Sequence, residues 1–416
     1  MRLRRNGTLG RKRSDPVPNG QRALWVSSSL ETYGGIATFV RNMSETPLWL
    51  EWQVRHVATH CDGTKLARIK IFASGLASFV VEIILRRPDV VHLHTSERGS
   101  FVRKGILIWV SAAFRLPVVL HMHGGEFHEY FENAAPSVQR AIRATLVRAD
   151  VVVALGDVWA KRLRDAAPGA RVEVMPNAIR SQDAVDQECP GVVQVVFLGE
   201  LCDRKGTSVL IDAWSMMLAG NDVVSTKLTI AGWGEIDRAR EQIRRLGVED
   251  SISLAGWLSS AEVAQLLAHS HVLVLPSINE GQPMAILEAM ARGICVVSTT
   301  AGGIPEMVGD GDGVLVTPGS ARELADALEL VVSDDAARRR FGEQGRRRAR
   351  EEFDVGVISR RFDDMYRSVV GADEPLDGLG TAILRTPGDA RPGRRPRRRK
   401  LRRRLAPDRQ ADPGAK

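Results

Sequence analysis

From Ala23 onward, short apolar runs alternate with amphipathic stretches. "ALWVSS" is an apolar run that ends in serines, as a buried strand does at a polar edge. "GGIATFVRNMSE" follows as a glycine pair and then apolar positions at helical spacing. "DVVHLH", "PVVLHMH" and "ADVVVAL" repeat the strand pattern, with helical stretches between them. Apolar runs without in-and-out alternation suit strands covered on both faces. They predict parallel sheets in an α/β fold.

The rhythm pauses at "MPNAIRSQDAVDQECPG", where Pro, Asn, Asp and Gln dominate. It then restarts with "VQVVFLG", "GTSVLIDAWSMML", "KLTIAG", "SISLAG", "HVLVLPS", "PMAILEAMARG" and "ICVVST". The chain therefore divides into a basic, disordered N-terminus (1–20), a first α/β half (21–180), a linker (181–191) and a second α/β half (192–352). A helix over 353–370 should return toward the first half, and an Arg-rich tail over 371–416 should be disordered.

Charge refines the picture. The net charge is +8, but residues 1–13 hold six Lys/Arg and 391–404 hold ten, with no acids in either stretch. Without these ends the remainder carries about −8. The ends would attract anionic lipid, by about 1 kcal/mol per residue at a membrane surface. They lack aromatic residues for base stacking, so specific nucleic-acid binding is not expected. The four cysteines, Cys61, Cys189, Cys202 and Cys295, form no C-x-x-C pair, which argues against a zinc or disulfide framework. No stretch is apolar enough to cross a bilayer, and no apolar core follows the basic N-terminus. A cytoplasmic protein is expected, peripheral to the inner face of the membrane through its basic ends.

Candidate chemistry gathers where strands end, as expected for ligand sites in open α/β sheets. After "HVLVLPS" the chain turns through Asn279-Glu280-Gly281-Gln282 into a helix with Pro283 and Met284 at its start. The free N–H groups of that first turn make an anion site. Glu288, a turn further on, could accept from two vicinal hydroxyls. Glu280 is either a helix-capping acid or a sugar-binding one. Arg204 and Lys205 precede a helix and could neutralise a diphosphate. Gly34-Gly35 and Gly302-Gly303 are loops where backbone can approach a ligand. In "HMHGGEF", His121 and His123 share a strand face ahead of Glu126 and suit hydroxyl binding; a metal there lacks an evident third ligand. "RIKIFASGLASFVVEIILRR" and "HTSERGSFVRKGILIWV" are either packed helices or a membrane-facing surface, with Arg98, Arg103 and Lys104 near lipid phosphates.

Taken together, these motifs resemble the retaining GT-B glycosyltransferases of family 4, the glycosyl transferases group 1 type. The resemblance covers residues 23–370. It rests on R-K-G at Arg204 to Gly206, A-G-x-G at Ala231 to Gly234, the Glu280/Glu288 pair and G-G-I-P-E at Gly302 to Glu306. Gly34-Gly35-Ile36, His121 to Phe127 and Pro176 to Ile179 add to it in the first half. The resemblance implies two Rossmann-like domains facing a central cleft. It implies a catalytic set of Glu280, Lys205, Arg204 and His123. A nucleotide sugar would be bound by Gly34, Gly35, Gly232, Gly281, Gln282, Pro283, Met284 and Glu288, with Glu288 on the ribose. His121, Glu126, Arg98, Arg103 and Lys104 are the acceptor-side candidates. Many members carry Arg directly after the "FLG" strand. Here the position is Glu200, and Arg204 is the candidate substitute. The implied activity is transfer from a UDP- or GDP-sugar to a carbohydrate or polyprenyl-linked acceptor, with no cofactor and no metal. A nucleotide-sugar epimerase or sucrose-type synthase on the same fold, or a nucleic-acid or anionic-surface binding protein acting through the basic ends, are the alternatives.

Overall fold

The structure is a computed structural model that describes residues 20–32, 34–187, 191–220 and 225–371. The expected disordered ends lie outside these residues, apart from Gly20 and Gly371 at their inner borders. The first half forms a parallel sheet in the order β2-β1-β3-β4-β5-β6. Its strands are β1 (Ala23–Ser27), β2 (Arg55–Ala58), β3 (Val90–Thr95), β4 (Val118–Met122), β5 (Val151–Ala154) and β6 (Val172–Val174). Its helices are α1 (Gly35–Ser44), α2 (Pro47–Glu51), α3 (Lys65–Arg86), α4 (Gly99–Ala113), α5 (Phe127–Glu132), α6 (Pro136–Arg148) and α7 (Asp157–Ala166).

Strands β1, β3, β4 and β5 are buried at every position, as their unbroken apolar runs require. The connections from β2 through to β6 all step across the sheet in one direction. Right-handed crossovers therefore place α3 to α7 on one face. The step from β1 to β2 runs the other way and places α1 and α2 on the opposite face. Two apolar clusters follow this division. One includes Phe79, Leu107, Leu146 and Leu163, and the other Trp25, Phe39, Met43 and Leu48.

The second half repeats the plan in the order β12-β11-β10-β7-β8-β9. Its strands are β7 (Val193–Leu198), β8 (Thr226–Ala231), β9 (Ile252–Gly256), β10 (Val272–Leu275), β11 (Cys295–Thr299) and β12 (Val314–Val316). Its helices are α8 (Thr207–Leu218), α9 (Ile236–Leu246), α10 (Ser260–Ala268), α11 (Met284–Ala291), α12 (Ile304–Met307), α13 (Ala321–Ser333) and α14 (Asp335–Glu352). In each sheet the strand order reverses once, between β1 and β3 and between β7 and β10. Ligand crevices form at such reversals. The loops leaving these four strands carry Gly34-Gly35, Glu97-Arg98, Arg204-Lys205 and Glu280.

A last helix, α15 (Val355–Val370), packs on the first sheet, as its sequence predicts. Ile358, Phe362 and Tyr366 are fully buried among Trp25, Phe39 and Trp52. The Trp52 indole donates to Asp363 Oδ1 at 2.8 Å. The Tyr366 hydroxyl bonds His92 Nδ1. Three details differ from the sequence reading. Pro283 is the N-cap of α11 and not a residue of its first turn, Ile304-Pro305-Glu306 forms the short helix α12, and β2, β6 and β12 are short edge strands that the sequence reading did not place. Phe362→Ala should destabilise the protein by about 3–5 kcal/mol, because a large aromatic leaves a fully buried site. Urea denaturation measures this, and a loss under 1 kcal/mol would mean that α15 is not part of the first half's core.

Candidate active site

The N-termini of α1 and α11 face one another across the two halves. Gly34, with φ of +113°, turns the chain into α1. A Cβ placed on Gly35 would lie 3.4 Å from Met284 Cγ, at the first residue of α11. Any larger side chain at Gly35 would fill the gap between the two helix ends. Both ends project free N–H groups toward the same place, which favours negative charge there.

Beside these helix ends sits a buried carboxylate. Glu280 is 7% exposed, and its Oε1 accepts from Lys205 Nζ and, at 2.7 Å, from Ser277 Oγ. Arg204 lies at 3.9 Å from the same oxygen, at 3.6 Å from Glu126 and at 3.3 Å from Glu200. Arg98 reaches Glu126 at 3.7 Å from the loop after β3. Five sequence candidates from both halves, Lys205, Arg204, Glu280, Glu126 and Arg98, thus meet in one network. Glu200 holds Arg204 there instead of replacing it.

The loop carrying Glu280 is fixed from below and from the side. A Cβ on Gly302 or Gly303 would overlap the carbonyl of Glu280 or Gly281, so this support is open only to glycine. Asn177 clasps Gln282 twice: its N–H donates to Oε1 at 2.8 Å and its side-chain amide to the backbone oxygen at 2.9 Å. Both residues are buried. Glu306 binds the two halves together, accepting from the N–H groups of Asp157 and Val158 at 2.8 Å each and so capping α7. Gly232, after β8, packs against Gly199. The exposed indoles Trp233 and Trp257 follow the ends of β8 and β9.

Glu288 stands one turn into α11, half-buried, and its neighbours differ from those of Glu280. Burial pushes its carboxyl up to about 7, against the pull of Arg292 and of Arg41 on α1. Arg41 was not visible as a site residue in the sequence. Its relation to Glu288 arises only when the halves come together, although its place on the helix that follows Gly34-Gly35 is the available signal.

The histidines divide. His123 Nε2 lies 3.0 Å from His94 Nδ1, and burial drives its imidazole down to about 3, so it is neutral. Its carbonyl faces Gly281, and the ring stays half-buried at the cleft. His121 is fully buried and does not reach an acceptor, which corrects its expected role. It belongs to a stack with His92 and His94 under Phe362. Nitrogens of these three rings come within 4.8 Å of one another. Lys104 is also corrected. Expected on an exposed surface, it is 1% exposed and its ammonium points inward to Thr59. Arg103, beside it, is half-buried.

One family model, glycosyl transferases group 1, matches residues 184–348 and takes in the whole second sheet. Another, the glycosyl transferase 4-like domain, matches residues 34–178. The chain belongs to the group 1 glycosyltransferases. A relative assigned to colanic acid biosynthesis as a glycosyltransferase in Salmonella typhimurium is 28% identical over 278 residues. That match spans 61% of this chain and 64% of the relative's length. Among solved structures, a sucrose-phosphate synthase from Thermosynechococcus elongatus superposes with a TM-score of 0.72 at 17% identity, over 85% of this chain and all of that one. The Anabaena protein Alr3699/HepE, crystallised with UDP-glucose, gives 0.67 at 21% identity, over 83% and 99%. At these identities the likeness is one of fold, and the fold is GT-B.

Glu288 gives this glycosyltransferase a pH-dependent term. Its carboxyl titrates higher when folded than when unfolded, so the stability it contributes is full at low pH and is lost as pH rises through about 7. Glu288→Gln should therefore match the parent near pH 4 and exceed it by about 3 kcal/mol at pH 8. Denaturant titration across that range measures the difference. A gain that does not change with pH would mean that the carboxyl is solvated.

Proposed function

We propose that the chain is a retaining glycosyltransferase. It moves a sugar from a UDP- or GDP-sugar to a hydroxyl of a carbohydrate or lipid-linked acceptor, in surface polysaccharide or glycolipid assembly at the cytoplasmic face of the membrane. The observation that carries this reading is the buried Glu280 carboxylate, held by Lys205 and Ser277 at the entrance to α11, with the α1 N-terminus opposite. Helix ends and cations suit the diphosphate, and carboxylates on either side suit the hydroxyls of the sugar and the ribose.

The chemistry follows from charge. As the bond from the sugar to the diphosphate breaks, its electron pair moves to a phosphate oxygen and the sugar gains oxocarbenium character. Lys205, Arg204 and the helix N–H groups are already fixed around the place where negative charge grows, which is where preorganised donors stabilise a transition state most. The acceptor oxygen attacks on the face that the diphosphate leaves, and its proton passes to a diphosphate oxygen. The cations supplied by the chain take the part that a metal plays in other phosphate sites. The Anabaena structure's UDP-glucose makes uridine donors the first to test.

A lipid-linked acceptor draws support from the face covered by α3 and α4. Leu66, Ile69, Ile84 and Leu85 on α3 and Trp109 on α4 are exposed, and Lys65, Arg68, Lys70, Arg86 and Arg87 are interspersed or adjacent. Apolar residues edged by cations suit an anionic bilayer. No described helix is long and apolar enough to cross one.

The reading is tested by release of nucleoside diphosphate from a panel of UDP- and GDP-sugars, with candidate acceptors and without. One donor should be turned over. Lys205→Ala should lower turnover by about 10²-fold or more with little change in donor affinity. Glu288→Ala should mainly weaken donor binding. If no donor on the panel is cleaved by the parent protein, the proposal fails. Equal effects of both substitutions on turnover and affinity would undo the division of roles.

A further inference from the structure

A second group of cations lies in the first half, at the start of α4 and the end of β2. Lys104 is at its base. Its ammonium donates to Thr59 Oγ1 at 2.6 Å, and the Thr59 hydroxyl in turn donates to the carbonyl of Ser27 at 3.2 Å. An ammonium has three donors to satisfy, and one hydroxyl is a small return for removing it from water. Burial and the neighbouring Arg103 bring Lys104 down to about 7. Arg103 lies over the start of α4, with its guanidinium 3.5 Å from where a Cβ on Gly99 would be. Its Nε is buried without a hydrogen-bond partner among the described residues.

The other elements add further positive charge. Arg103 is lowered by burial and then by the charge of Arg68, on the first turns of α3. His60, at the end of β2, is lowered by burial and then by Arg103, Arg68 and Lys104, with Asp62 acting against them. His56 is held to Ser27 Oγ at 2.7 Å and is brought down to about 4 by burial and by Lys104. Like charges brought together at a partly exposed edge repel one another, and solvent relieves the buried members little. An anion among them would remove both costs and would give Lys104 and Arg103 the acceptors they lack.

We infer that the first half carries an anion-binding subsite at the C-terminal ends of β1 and β2, formed by His60, Arg68, Arg103 and the buried Lys104, that takes a phosphate group of the acceptor. Three cations and an imidazole match a dianion better than a single carboxylate. The word acceptor rests on the transferase reading above; the anion site itself does not. The C-terminal end of the same sheet carries Gly125 against Gly281 and Glu280, so an acceptor held here by its phosphate could present a hydroxyl to the cleft.

Calorimetric titration of the full-length protein with inorganic phosphate tests the inference, run alone and with UDP or GDP at saturation to occupy the donor cations. Phosphate should bind in both conditions. Arg103→Gln and Arg68→Gln, at partly exposed positions, should each weaken it at least tenfold and leave nucleotide binding unchanged. Lys104→Met, an apolar replacement at a buried position, should do the same if it folds. Phosphate that nucleotide displaces, or that binds the two arginine variants as it binds the parent, overturns the subsite. Loss of nucleotide binding by the parent, with Arg103-dependent phosphate binding retained, would count against the transferase reading alone. Flotation with phosphatidic acid vesicles, set against phosphatidylcholine vesicles, then identifies the source of the anion. Arg103-dependent capture supports the subsite with a lipid-borne phosphate, and phosphate binding without capture supports it with a soluble one.

Discussion

The contact between Lys205 and Glu280 is the interaction on which the rest of the site depends. A carboxylate this buried is sustained only by charge and hydrogen bonding, and Lys205 with Ser277 supplies both. In return Glu280 fixes the ammonium at the mouth of α11, where α1 ends opposite. Arg204 stands in a similar relation to Glu126, Glu200 and Glu280. The two cations are therefore already fixed in place, as the proposed contact with a diphosphate requires.

That arrangement exists only because the two halves meet. Asn177 reaches from the end of the first half to Gln282, Glu306 reaches from the second half to the first turn of α7, and α15 returns to bury Phe362 and Tyr366 beside Trp25. These contacts lie on different sides of the cleft. The first holds the loop between β10 and α11 to the first half, the second ties α12 to α7, and the third packs α15 on the first sheet. The start of α11 and the glycine turn at α1 thus stand close together, with Gly35 against Met284.

Much of this was legible in the chain. The central strands are unbroken apolar runs because they are covered on both faces, and that pattern gave the α/β class directly. Lys205, Glu280 and Gly35 lie in local motifs whose residue types state their chemistry. The edge strands were not legible: "RHVA" in β2 has a single fully buried residue, so nothing in its pattern separates it from a loop. Arg41 and Asn177 were missed as site residues because their partners are more than 100 positions away, and no local spacing encodes such a pair. Lys104 misled for the opposite reason. A lysine on an amphipathic helix ordinarily faces water, and only the fold reveals the turn of α4 that carries it inward to Thr59.

The central claim is that fixed cations and two helix ends form a site for a nucleoside diphosphate without a metal. Calorimetric titration of the purified protein with UDP, GDP and ADP, first in chelator and then with magnesium, tests it most directly. The account predicts that one nucleotide binds in chelator and that magnesium changes its affinity little. Binding that appears only with magnesium, or binding of none of the three, would contradict it.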